Sequence, residues 1–255
     1  MRNIIILASL LSASAYASNC KIDFDGDLRL KNNEITITLD DHETVFMNGQ
    51  GVWVDGKSVN LDQAQLNLVN SYYDGYITMA PQVASLALDA LDMADTGVTM
   101  AFSELLGADS DLVEDIGNEF TFLRRKLRAG FYADDGSIQI DSREFNDDHF
   151  LGEEFEKEFE QRIESVMERS IGTLLVSLGS QMLTGGLDDF EQRMDDFGRT
   201  LEQRMEFQGE EMELRADKMC ADMVELDNIE TQINRSIPEL AHLNIIDASK
   251  QRESM

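Results

Sequence analysis

The sequence predicts an α+β protein, mostly α: a small N-terminal antiparallel β-meander followed by several long packed helices. Three observations carry this. Residues 21–60 alternate apolar and polar side chains with a period of two and are punctuated by turn pairs. From residue 60 onward the apolar spacing becomes that of helices. Only two prolines occur in 255 residues, so little interrupts long helices.

Within the meander, Ile35, Ile37 and Leu39 alternate with Thr36 and Thr38, the pattern of a half-buried strand. Val52-Trp53-Val54-Asp55-Gly56-Lys57-Ser58-Val59 reads as a hairpin turning at Asp55-Gly56, a dipeptide that tolerates the positive φ of tight hairpin turns. Asp25-Gly26, Asn32-Asn33 and Asn48-Gly49 are further turn signals.

The first helix is expected to open at Asn60, an N-cap residue with Gln63 three positions on. Leu61, Leu68, Tyr72, Tyr76 and Met79 then share one face. Pro81 suits the first turn of a new helix, which Val83, Leu86, Leu91 and Ala94 carry to about Asp95. Another helix is expected over about 109–129, with Leu112, Ile116, Phe120, Leu123 and Leu127 on one side. Its basic run, Arg124-Arg125-Lys126 and Arg128, lies where cations complement the helix dipole, and is the main positive spot on an acidic chain. Residues 130–141 read as a second hairpin around Asp135-Gly136 that could extend the N-terminal sheet.

From about 148 the pattern is helical again. Phe155, Phe159, Ile163, Met167, Ile171, Leu174, Leu178 and Met182 form a long apolar stripe. Ser170 to Leu187 carries no charge at all, but its serines, threonines, glutamine and glycines favour a buried helix over a membrane span. Gly185-Gly186 ends it. The next helix, 187 to about 233, contains an echo: Phe190-Glu191-Gln192-Arg193-Met194 recurs as Leu201-Glu202-Gln203-Arg204-Met205. Phe190, Leu201, Met212 and Met223 share the eleven-residue spacing, as do Met194, Met205 and Ala216. Eleven residues make three turns, so the helix should run nearly straight against a neighbour. Methionine, a flexible filler, dominates its packing positions. The resulting organisation is a signal peptide over 1–17, a β-rich segment over 18–61, a helical body over 62–247 and a tail over 248–255.

The chain opens with Arg2, an apolar run from Ile4 to Leu11, and Ala15-Tyr16-Ala17 before Ser18, the pattern of a cleaved export signal. The run is too short to span a bilayer. Cys20 lacks the aliphatic residue at minus three and the small residue at minus one that lipidation requires, since Ala17 and Asn19 occupy those positions. Cleavage after Ala17 leaves two cysteines, Cys20 and Cys220. An even count in an exported chain favours a disulfide. It would close a loop of about 200 residues, for which chain entropy gives roughly 5 kcal/mol.

Fifty acidic against 21 basic residues give a formal net charge of −29. That excludes a nucleic-acid footprint and docking on anionic lipid. It allows cationic partners, divalent cations or simple solvation. The best metal pattern, Asp23, Asp25, Asp27 and Glu34, matches positions 1, 3, 5 and 12 of a calcium loop, but Leu28 stands where the loop needs glycine, and Arg29 and Lys31 follow. A turn at Asp25-Gly26 explains it better. His42, His149 and His242 have no zinc spacing, Gly179-Ser180 is no nucleophile elbow, and no phosphate loop occurs. No catalytic, cofactor or metal residues are therefore assigned.

The order of Cys20, the segment Val52-Trp53-Val54-Asp55-Gly56-Lys57-Ser58-Val59-Asn60-Leu61 with Gln63 and Gln65, and then Cys220 with Met223-Val224-Glu225-Leu226 resembles the YggN family of periplasmic proteins of Gram-negative bacteria. That family has no known function. The present chain departs from it in its stronger acidity and its eleven-residue echo. The resemblance implies a periplasmic location and brings no activity. The expected function is a non-enzymatic interaction or envelope-associated protein using long amphipathic helices, its partner an envelope protein or a second copy. A hydrolase with buried carboxylates and a weak divalent-cation binder are the alternatives.

Overall fold

The computed structural model describes residues 20–39, 43–107, 110–141 and 187–250, with scattered positions between 157 and 172. Eight strands, three long α-helices and a short 3-10 helix (Pro238–Leu240) organise residues 20–141 and 187–250 among those described. A six-stranded antiparallel sheet is built from β2 (Asp27–Lys31), β3 (Glu34–Thr38), β4 (Thr44–Asn48), β5 (Gly51–Val54), β6 (Lys57–Ser58) and β7 (Gln139–Asp141). Their order across the sheet is β6-β5-β4-β3-β2-β7. The meander is thus as the alternation predicts, with turns on the predicted Asn32-Asn33 and Asp55-Gly56, while the β4–β5 turn lies at Gly49-Gln50, one residue past the predicted Asn48-Gly49. Asn32 and Asn33 have φ of 54° and 58°, and Asp55 and Gly56 have 48° and 74°. These paired positive values match the twist of a tight hairpin.

The alternation also settles which face is buried. Leu28, Leu30, Ile35, Ile37, Val45, Met47 and Val52 point inward and are almost wholly buried. The helices α1 (Gln63–Leu106) and α3 (Leu187–Ser236) close over them with Val69, Tyr72, Tyr76, Met79, Met223, Leu226 and Ile233. The Thr36, Phe46 and Trp53 side of the sheet faces outward, where Phe46 and Trp53 meet as a cross-strand pair with ring centroids 5.4 Å apart.

Helix α1 is one element of 44 residues, where the sequence suggests two. Its cap is Asp62 rather than Asn60. The Asp62 side chain accepts from the Gln65 N–H and the Gln65 side chain accepts from the Asp62 N–H, both at 2.9 Å. The same three-residue spacing exists two positions earlier. The later register leaves Leu61 free to pack on the core and lets Gln65 donate to the Ser236 carbonyl at 2.7 Å. Pro81 lies inside α1 and starts no new helix. Packing against α3 on both sides of it outweighs the one backbone bond that proline forfeits.

Helix α2 (Asp111–Phe131) folds back along the second half of α1, joining Leu112, Ile116, Phe120 and Leu123 to Leu91, Val98, Phe102 and Leu106. Part of the basic run pairs internally. Arg124 binds Asp92 and Asp95, Lys126 binds Glu158, and Arg128 covers the Tyr132 ring. The hairpin expected at 130–141 is reduced to one bridge, Tyr132 to Ile138, because α2 runs on to Phe131. Its second arm, β7, does extend the sheet, pairing with β2 and placing Asp141 against Arg29 at 3.0 Å.

Helices α1 and α3 are antiparallel, and their partners advance in step. Tyr72 meets Glu230, Gly75 meets Leu226, Asp89 meets Arg215, Gly97 meets Met205 and Met100 meets Arg204. The register is constant over most of the pair, so α3 packs on a neighbour along its length, as its long apolar stripe predicts. Met194, Leu201, Met205, Met212 and Ala216 all lie half-buried, and Met223 is fully buried. The long stripe of 155–182 and the uncharged run of 170–187 lie outside the described residues, apart from isolated helical positions.

The tail expected from 248 begins too early. Strand β8 (Ile246–Lys250) pairs with β1 (Cys20–Phe24), from Cys20 opposite Lys250 to Phe24 opposite Ile246. Two apolar positions, Ile246 and Ala248, are too few to announce a strand by alternation, and its partner lies at the other end of the chain.

Candidate functional site

The β1–β8 ribbon rests on the C-terminal third of α3, and the polar residues of that third hold it. Cys220 is bonded to Cys20, 200 residues away, with their Cα atoms 5.9 Å apart. Two turns further along the same face, Asp227 accepts from the Ala248 N–H at 3.2 Å. Glu230 accepts through Oε1 from the Ile245 N–H at 2.6 Å and the Ile246 N–H at 3.2 Å. Asn234 donates to the carbonyls of Ala241 and Leu243. The Ile245 and Ile246 N–H groups would otherwise need a partner in a dry interior.

Glu230 is 1% exposed, yet its charge is well supplied with donors. Its Oε2 takes the hydroxyl of Tyr72, which is fully buried. The Tyr72 and Tyr76 hydroxyl oxygens are 3.1 Å apart, with the rings edge to face at 5.0 Å between centroids. Since Tyr72 spends its proton on Glu230, Tyr76 donates to Tyr72. The chain of bonds runs from Tyr76 through Tyr72 and Glu230 to the backbone of residues 245 and 246.

Burial pushes the Glu230 carboxyl above its usual range, while Tyr72 and the two N–H groups pull it back down. Burial likewise pushes both tyrosines well above theirs, and for Tyr72 the neighbouring Tyr76 and the Glu230 charge add to it. Both hydroxyls therefore remain protonated donors. With both carboxylate oxygens occupied from within, the chemistry of this cluster is to bind backbone and fix the ribbon.

A second polar feature is a cleft of about 230 Å³ between α1 and α3, lined by Pro81, Gln82, Ser85, Arg215, Lys218 and Met219. Its cations are already matched. Arg215 reaches Asp89 at 2.6 Å and Ser85 at 3.0 Å, and Lys218 reaches Asp222 at 2.7 Å.

Of the residues singled out in the sequence, Cys20 and Cys220 are brought together as a disulfide. The cleavage residues Ala15, Ala17 and Ser18 lie outside the described residues, as do His42 and His149. His242 is exposed. The calcium-like run does not form a loop. Asp27 pairs with Thr38 and Glu34 with Lys31, at opposite ends of one hairpin, while Asp23 belongs to the other sheet. Gly26, at φ 110°, makes the turn between them. Among the described residues no group of three or more histidines, cysteines or carboxylates could hold a metal, and no helix is long and apolar enough to cross a membrane.

The sequence reading missed Asp227, Glu230 and Asn234, although a signal for two of them existed. One more step of eleven takes the Met194, Met205, Ala216 series to Asp227 and the Leu201, Met212, Met223 series to Asn234. A polar residue on a packing position marks where α3 stops facing α1 alone and begins to hold the ribbon.

The fold and its buried cluster define a class: an α+β protein in which a small sheet sits on an antiparallel pair of long helices, its first and last strands joined as a ribbon and fastened by a disulfide. The chain belongs to the family described as Protein of unknown function (DUF2884), whose model matches residues 20–246. The match begins at Cys20 and ends at Ile246, so it takes in both sides of the fastening. No curated protein and no solved structure matches the chain.

Proposed function

We propose that this is an exported, non-enzymatic interaction protein of the periplasm that offers its long helices to an envelope partner. The observation that carries the reading is the α1–α3 pair. Away from the sheet it is held by half-buried, methionine-rich positions, and α3 bears two large apolar side chains exposed to solvent. Such surfaces adapt to partners more readily than rigid aliphatic cores do. The Cys20–Cys220 bond agrees with an oxidising compartment, and the leader pattern supports the route to it. The buried carboxylate, which might have served a hydrolase, is spent on the ribbon.

The test is photo-crosslinking of the tagged protein in the intact periplasm, with the crosslinker placed at successive positions along α1 and α3, followed by mass spectrometry. The reading expects a defined adduct from the half of the pair remote from the sheet. A strictly monomeric protein that yields no adduct from any position would sink it.

A further inference from the structure

Among the described residues, three large apolar side chains are exposed, and two of them share one face of α3. Phe207 and Leu214 are each 71% exposed. Seven residues apart, they point within about 20° of each other and lie roughly 10 Å apart along the axis. Scattered exposed apolar residues are ordinary. Two in register on one helix face, opposite the stripe that packs on α1, take no part in the core formed by the described residues.

Their surroundings specify what could cover them. Glu210 and Glu211 lie between them on the same face, and Glu206 and Glu213 flank it, all exposed. Of the nearest cations, Arg215 binds Asp89 and Lys218 binds Asp222, while Arg204 donates only to the Met100 sulfur at 3.7 Å, so four glutamates stand against one cation with no carboxylate partner among the described residues. The face is therefore apolar along its centre and negative at its sides, within a chain of net charge −29. A second copy would bring like charge to like, and an anionic lipid surface would be repelled as well. A helix with lysines or arginines beside an apolar stripe would satisfy both components at once, its cations meeting the glutamates and its stripe covering Phe207 and Leu214.

We propose that the Phe207–Leu214 face of α3 is a docking site for a cationic amphipathic helix. The proposal rests on the interaction reading above and specifies the chemistry of the partner. The probe is a synthetic leucine–lysine amphipathic peptide titrated into the full-length mature protein and read by fluorescence anisotropy. Comparison peptides carry glutamate for lysine, or the same residues in scrambled order. Binding of the leucine–lysine peptide is expected to weaken at least about tenfold in the Phe207→Ser/Leu214→Ser variant and to weaken in the Glu210→Gln/Glu211→Gln variant. Added salt should weaken it too. All four side chains are exposed, so the melting curves of both variants should match the parent, which separates lost docking from lost folding.

Equal binding by the apolar variant would overturn the proposal, because diffuse charge would then suffice. So would equal binding of the scrambled or glutamate peptide, no binding by the parent protein, or sedimentation showing a dimer that the serine variant abolishes. If adducts form elsewhere on the helices while the peptide fails to bind, the interaction reading stands and this site falls.

Discussion

The two halves of the α1–α3 pair are built on different terms. Near the sheet, Tyr72, Met223, Leu226 and Ile233 are almost wholly buried, two polar side chains, Asp227 and Glu230, bind the ribbon directly, and Asn234 binds the segment leading into it. Beyond Ala84 on α1 and before Cys220 on α3, none of the described side chains is fully buried. The eleven-residue stripe runs through both halves, so helix geometry is not the difference. What changes is the cover: under the sheet the facing side chains are buried, while away from it those of α1 and α3, Met205 and Met212 among them, are only half-buried. A long helix pair can thus be clamped at one end and left adjustable at the other without a break in its register.

The largest effect should come from removing the clamp's covalent part. Reduction, or Cys20→Ser with Cys220→Ser, should cost up to roughly 5 kcal/mol in chemical unfolding, because the bond closes a loop of 200 residues. Identical unfolding curves with and without reductant would break the comparison at its base. Next is Glu230→Ala, which strands two backbone N–H groups and the Tyr72 hydroxyl in a dry site and should cost about 3–5 kcal/mol. Glu230→Gln keeps an acceptor for the N–H groups and lets Tyr72 accept from the amide, so a loss near 1 kcal/mol is expected.

The pH dependence sharpens the same point. Burial raises the Glu230 pKa above its ordinary value of 4.5, so the folded protein holds this proton more tightly than the unfolded chain does. The resulting stability is fully present below the unfolded pKa and is lost as pH rises through the folded one. Repulsion within so acidic a chain also eases in acid. The contribution of Glu230 is therefore read as the parent curve minus the Glu230→Gln curve, measured upward from pH 4.5. A flat difference would remove the burial effect from the account.

Two glycines provide the smallest and most direct contrast. A Cβ on Gly75 would lie 2.5 Å from Leu226 Cδ2, whereas one on Gly97 would lie 3.6 Å from Met205 Sδ. Both replacements by alanine gain roughly 0.5–1 kcal/mol of helix propensity. Gly75→Ala must also displace a buried leucine, at about 1–3 kcal/mol, and should be destabilising on balance. Gly97→Ala should stabilise. Equal signs in thermal melting would mean that the two halves are packed alike.

The meander, the long α3 packed on a neighbour and the disulfide were legible because each leaves a local or countable mark: alternation with Asn-Asn and Asp-Gly turns, an eleven-residue echo, an even number of cysteines. Strand β8 and the Glu230 cluster were not, because both are long-range. Ile246 and Ala248 form a strand only opposite β1, and Glu230 is one glutamate among many until Tyr72 and the backbone of residues 245 and 246 surround it. Pro81 misled for a related reason. Its local preference for a helix start is real, and the packing of α1 on α3 overrides it.

The β1–β8 ribbon also has a consequence for assembly in time. A chain delivered from its N-terminus exposes β1 first, while the strand that pairs with it is the last one described. The meander can close as soon as it emerges, since its neighbours adjoin in sequence, apart from β7. The ribbon cannot. The first strand out must wait for the last, and the cysteine beside it stays unpaired until most of the chain has arrived. Completion of this fold therefore reports that the chain has been delivered through β8.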